Sequence, residues 1–140
     1  MKKYKPVLLV EDDRVNVIAF QRAFKDLKIT NRIEHAWDGK EALDFLKSTE
    51  HEQPALILLD LNLPRMSGLE FLKTIKQDKK LKMIPVVVLT SSRQDQDKIE
   101  CFNLGVAGYM IKPADYLEFV EVVRTIDLYW TLSENPSEEC

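Results

Sequence analysis

Short apolar runs alternate with longer amphipathic ones along this chain, and that alternation leaves few folds open. The runs 7–10 (VLLV), 55–60 (ALILLD) and 86–90 (VVVLT) are continuously apolar up to their last residues. Such runs, bounded by turn residues, read as strands buried on both faces, the situation of a parallel sheet covered by helices. Two further strand segments, 32–37 (RIEHAW) and 107–111 (AGYMI), bring the number to five. Between them lie helical patterns. Val17, Phe20, Phe24 and Leu27 recur through 14–28, and Leu43 and Leu46 through 39–48. Leu69, Leu72 and Ile75 mark 67–77, Ile99 and Phe102 mark 94–104, and a last amphipathic stretch covers 115–130. Strict β–α alternation predicts an α/β protein with a doubly wound five-stranded parallel sheet in the order 2-1-3-4-5, the flavodoxin-like arrangement.

Residues 1–132 read as one domain, and the polar end 133–140 (SENPSEEC) as a short flexible tail with no room for an output domain. The charge balance is close to even, with a net charge of -3. It argues against a surface built for nucleic acid or anionic membrane. No apolar run approaches the roughly 20 residues that a membrane span needs. The start, MKKYKPVLLVEDD, has an apolar piece too short for a signal peptide. Cys101 and Cys140 make neither a disulfide framework nor a metal pattern, and Cys101 reads as a small core residue. The expected location is cytoplasmic.

In open parallel sheets the ligand sits beyond the carboxyl ends of the strands, near the switch in strand order. Reading only those ends gives Glu11, Asp12 and Asp13; then Asp60, with Asn62 two residues on; then Thr90, Ser91 and Ser92; then Lys112 before Pro113. Carboxylates converging from adjacent strands repel unless a cation lies among them. An all-oxygen site suits Mg²⁺, with Mn²⁺ able to substitute, and His35 and His51 have no spacing for a metal pair. The expected ligands are Asp12, Asp60 and the backbone carbonyl of Asn62, with Glu11 acting through water. A lysine (Lys112), a hydroxyl (Thr90) and a divalent cation around one carboxylate can hold the oxygens of a phosphoryl group. Asp60 is then a nucleophile that forms an aspartyl phosphate. Asp13, directly before an amphipathic run, reads as a helix cap. Pro64 and Gly68 read as turn residues, and Met66 as loop packing.

Four pieces in order, LLVEDD, LILLDLNLPRMSGLEFL, PVVVLTSS and GYMIKP, resemble the response-regulator receiver domain of two-component signalling. The resemblance covers residues 5–130 and implies an acceptor at Asp60, metal-binding acids at Glu11 and Asp12, and a phosphate-binding Lys112. It also implies a switch hydroxyl at Thr90 and a switch aromatic at Tyr109. The donor it implies is the phosphohistidine of a sensor histidine kinase or phosphotransfer protein. The ending KPADYLEFVEVVRTIDLYW is similar to single-domain regulators that partner cyanobacterial and bacterial phytochromes. Ala114, after Lys-Pro, departs from the bulky apolar residue that many receivers carry there.

The last helix carries two apolar stripes, one of Phe119, Val122, Ile126 and Tyr129, the other of Tyr116, Val120, Val123 and Trp130. One stripe suffices to cover a sheet. A homodimer through Phe119, Val122, Ile126, Tyr129 and Trp130 is therefore expected, with Tyr109 beside it. Two rivals remain. A haloacid-dehalogenase-type phosphatase would need an acid two residues after its nucleophile, where Asn62 stands. A receiver-like adaptor that works without phosphorylation would not need the complete site. A dinucleotide-binding enzyme would need a glycine fingerprint that VLLVEDDRVN lacks.

Overall fold

Val7–Val10 (β1), Leu56–Leu59 (β3) and Val86–Thr90 (β4) form the buried centre of one sheet, flanked by Ile33–Ala36 (β2) and Gly108–Ile111 (β5) at its edges. This computed structural model describes residues 5–132, so the tail expected at 133–140 lies outside the described residues. All pairings are parallel and the order is β2-β1-β3-β4-β5, the doubly wound order that the alternation predicts. The burial of each strand follows from its place. β1, β3 and β4 are buried throughout, whereas β5 is half-buried along its length, as an edge strand must be. β2, with Glu34 and His35 in its centre, is the other edge.

The helices are Arg14–Asp26 (α1), Gly39–Lys47 (α2), Gly68–Lys76 (α3), Asp95–Asn103 (α4) and Tyr116–Leu132 (α5). Alternate strand residues feed two cores. Leu8, Val10, Ile57, Leu59, Val86 and Val88 pack against the face covered by α2, α3 and α4. Val7, Leu9, Leu56, Leu58, Val87 and Leu89 pack against α1 and α5. The period of two along each strand thus supplies both faces of the sheet.

Local signals set the helix ends. Asp13 caps α1 as expected, its side chain accepting from the Val15 N–H at 2.9 Å. Ser67 and Glu70 form a reciprocal capping box at α3. Asp38 caps α2 through the Glu41 N–H. A single 3-10 turn at Leu81–Met83, not anticipated from the sequence, seats Leu81 and Ile84 in the core before β4.

Two expectations about helix faces are corrected. In α4, Ile99 and Phe102 are 58% and 53% exposed, and Cys101 is the residue that is buried. In α5, Phe119 and Ile126 do not belong to an outward face. Both lie in the core at 4% exposure, and Phe119 meets Phe20 edge-on with ring centroids 4.8 Å apart. The buried stripe of α5 is Phe119, Val123 and Ile126, spaced four and three apart, because these three point at the sheet and α1. Val122 and Trp130 are half-buried, and Tyr129 is 62% exposed.

Candidate functional site

The site assembles where the strand order reverses, at the carboxyl ends of β1, β3, β4 and β5. The backbones of β3 and β5 carry the ladder one residue further than the strands themselves. The Asp60 N–H donates to the Val10 carbonyl at 3.1 Å, and the Lys112 N–H to the Thr90 carbonyl at 2.8 Å. These two bonds fix where Asp60 and Lys112 leave the sheet. Glu11 and Asp12 leave the adjacent end of β1, so the predicted residues converge from four strands.

Asp60 is 7% exposed and both its oxygens are engaged. Thr90, itself fully buried, donates its hydroxyl to Asp60 Oδ1 at 2.8 Å. The Asn62 N–H reaches the same oxygen at 3.3 Å. Lys112 Nζ donates to Asp60 Oδ2 at 3.1 Å and to Glu11 Oε1 at 2.6 Å. A buried carboxylate without partners would be untenable, and this set satisfies it. Burial pushes Glu11 above the ordinary carboxylate range, with the Lys112 hydrogen bond and charge pulling the other way. Burial also works against the Lys112 ammonium, but Glu11 and Asp60 outweigh it and hold its pKa above the usual value.

Carboxylate oxygens of Glu11, Asp12 and Asp60 lie within 4.8 Å of one another. Three carboxylates against one ammonium leave two negative charges in a small, largely buried volume. The donors are hard oxygens and Asp12 is exposed to water, which fits a hydrated divalent cation. Thr90, Lys112, Glu11, Asp12 and Asp60 are thus brought together.

Tyr109, on β5, stands one step away. Its hydroxyl donates to the Ser92 carbonyl at 3.1 Å, and Ser92 N–H reaches Thr90 Oγ1 at 3.3 Å. A hydrogen-bonded path therefore runs from Asp60 through Thr90 and the β4–α4 loop to Tyr109. Ser92 donates its own hydroxyl to Asp97 Oδ2 at 2.7 Å, tying that loop to α4.

Three features were not legible as site features in the sequence. Gly68 is more than a turn residue: a Cβ there would stand 2.5 Å from the Asp60 carbonyl oxygen and 2.6 Å from Leu61 Cα. Only glycine lets α3 begin against the main chain of Asp60 and Leu61. Arg65, in the left-handed region at φ 61°, donates from Nε to Asp38 Oδ2 at 2.6 Å. It joins the loop after Asp60 to the start of α2. His35 Nε2 lies 2.7 Å from the Glu11 carbonyl oxygen. A donor side chain near the end of the strand beside β1 was the signal for the last.

This fold and site define a receiver, and the chain belongs to the response-regulator receiver domain family, whose model matches residues 7–124. Among its relatives, the probable methanogenesis regulatory protein FilR2 of Methanothrix harundinacea is 42% identical over 127 residues, 89% of this chain and 82% of that protein. Response regulator Rcp1 of Synechocystis sp. is 39% identical over 130 residues, 90% of this chain and 88% of Rcp1. The crystal structure of the phosphorylated cyanobacterial phytochrome response regulator RcpA superimposes with a TM-score of 0.89 at 34% identity, covering 96% of this chain and 99% of that one. The Mn²⁺-bound form of Rcp1 does so at 0.86 and 36%, covering 94% and 99%. The resemblance to phytochrome response regulators read from the C-terminal end therefore holds. Among the described residues, no helix is long and apolar enough to cross a membrane.

Proposed function

We propose that this receiver accepts a phosphoryl group on Asp60 from the phosphohistidine of a sensor histidine kinase or phosphotransfer protein. One observation carries the reading: the two oxygens of Asp60 are engaged by different donors, Thr90 and Lys112, with Glu11 and Asp12 alongside. In the transfer an Asp60 oxygen attacks phosphorus, the P–N bond breaks, and the neutral imidazole leaves once protonated. Lys112 and Thr90 then hold oxygens of the new phosphoryl group. Later attack by water on phosphorus restores Asp60 and releases inorganic phosphate. A Mg²⁺ held by Asp12, Asp60 and the Asn62 carbonyl, with Glu11 through water, would neutralise phosphoryl charge; Mn²⁺ would serve as well. This is self-catalysed acceptance and slow loss of a phosphoryl group rather than turnover of a substrate.

The signal leaves through the Thr90–Ser92–Tyr109 path toward α4 and β5. Output is by protein contact in the cytoplasm rather than by binding nucleic acid. A phytochrome-type kinase is the donor that the likeness to RcpA and Rcp1 favours. We place the homodimer contact on α5 at the exposed Tyr129 and the half-buried Val122 and Trp130.

Intact mass after incubation with acetyl phosphate and Mg²⁺ tests the chemistry. One added phosphate is expected, absent in Asp60→Asn and abolished by EDTA. Wild type that stays unlabelled with acetyl phosphate, and also with phosphorylated kinase, would instead make this a phosphorylation-independent adaptor.

A further inference from the structure

His35 lies on β2 in register with Leu9 of β1, one strand away from the loop that carries Glu11 and Asp12. The β1–β2 ladder ends where the Glu11 N–H donates to the Ala36 carbonyl at 3.1 Å. β2 stops at Ala36 and the chain turns into α2 through the Asp38 cap. The strand therefore gives out just where Glu11 presents its carbonyl, and a side chain takes the next position. His35 Nε2 lies 2.7 Å from the Glu11 oxygen, and because a carbonyl only accepts, Nε2 carries the hydrogen. Trp37 closes edge-on over the imidazole, with ring centroids 4.1 Å apart, and its backbone N–H donates to Glu41 Oε1 at 3.1 Å. The imidazole is thus held between Trp37 and the carbonyl.

The Glu11 carbonyl shares one rigid peptide plane with the nitrogen of Asp12. Holding Glu11 N–H and C=O together against β2 sets the direction in which Asp12 leaves the strand. Asp12 is exposed, whereas Glu11 and Asp60 are buried and fastened by Lys112. Of the three acids, Asp12 depends most on its backbone for position. We propose that His35 is a positioning residue of the divalent-cation site, its Nε2–H bond to the Glu11 carbonyl fixing the peptide from which the Asp12 carboxylate projects. The proposal rests on the metal reading above. It differs from the pattern of a metal ligand, since His35 acts through main chain and, among the described residues, is not one of the clustered ligand groups.

The test uses Mn²⁺ alone, with free ion counted by electron paramagnetic resonance and Asp12→Asn marking what binds at this site. Three variants separate a donor from a packing role. His35→Gln keeps an N–H at the reach of Nε2, His35→Phe keeps a ring beneath Trp37 without a donor, and His35→Ala removes both. Melting temperatures are measured beside each. Loss of the donor in Phe and Ala is expected to weaken Mn²⁺ by about tenfold, the scale of a lost partner just outside a metal's ligands. Gln is expected to restore most of it. Should the Ala variant not fold, the Gln and Phe pair decides. Phe binding as tightly as wild type, or Gln as weakly as Phe, would overturn the positioning role while leaving the metal site standing. Wild type binding no more Mn²⁺ than Asp12→Asn would overturn the metal reading, and this proposal with it.

Discussion

Asp38 shows how a single side chain acquires several duties. It is 4% exposed, caps α2 through the Glu41 N–H, and accepts from Arg65 in the loop that follows Asp60. Burial works against its charge, but the backbone N–H of Glu41 and the guanidinium of Arg65 outweigh that and hold its carboxyl below the ordinary 3.8. A depressed carboxylate contributes stability above its unfolded value and loses it as pH falls through its folded one. Asp38→Asn keeps an oxygen for the cap but has no charge for Arg65. Its urea midpoint should therefore lie below that of wild type near neutral pH. The gap should narrow as the pH drops below 3.8, where wild type loses the same charge. A gap that stays constant into acid would mean that the Arg65 pair contributes nothing.

The helices divide by how firmly they are seated. α3 buries Gly68, Phe71, Leu72 and Ile75, and α5 buries Phe119, Val123 and Ile126. α4 buries Cys101 alone and has no side-chain cap at its start. A helix with so little apolar burial is the one most easily displaced, and it is the one joined to the site by Ser92 and Asp97. Cys101 itself is sealed in, its thiol pushed up to about 11 chiefly by burial. The two sides of α5 make opposite predictions for stability. Phe119→Ala removes a ring packed against Phe20 and should cost about 3–5 kcal/mol of unfolding free energy in urea titration. Tyr129→Ala, at an exposed position, should stay within about 0.5 kcal/mol of wild type at dilutions where both are monomeric. Equal losses would mean that Tyr129 is held by the fold rather than offered to a partner.

Across the whole molecule, α1 and α5 cover one face of the sheet and α2, α3 and α4 the other, so the site lies at one end where both layers meet the strand tips. Outward from β5, Val87, Met110, Ile126, Tyr129 and Trp130 line an apolar groove of about 200 Å³. Tyr129 and Trp130 meet edge-on, centroids 4.9 Å apart. Large apolar groups left in contact with water favour association. Sedimentation at micromolar concentration should give a dimer for wild type and a monomer for Tyr129→Ala. Wild type that sediments as a monomer, with and without acetyl phosphate, would remove the dimer.

The sequence by itself determined the order of elements, because a strand buried on both faces must be apolar at every position while a covering helix needs a single stripe. It also determined the chemistry of the strand ends, since Glu11, Asp12, Asp60, Thr90 and Lys112 are polar residues at the tips of apolar runs and the topology leaves such tips one place to meet. Which stripe of α5 faces inward was left to tertiary structure, because Phe119, Val122, Val123 and Ile126 have nearly the same hydrophobicity and only the angle of packing against β4 and α1 separates them. The need for glycine at position 68 was likewise decided in three dimensions, by the approach of α3 to the Asp60 backbone. His35 belongs to the same class. Its hydrogen bond spans 24 residues of chain, and it exists because β2 lies next to β1 in the folded sheet.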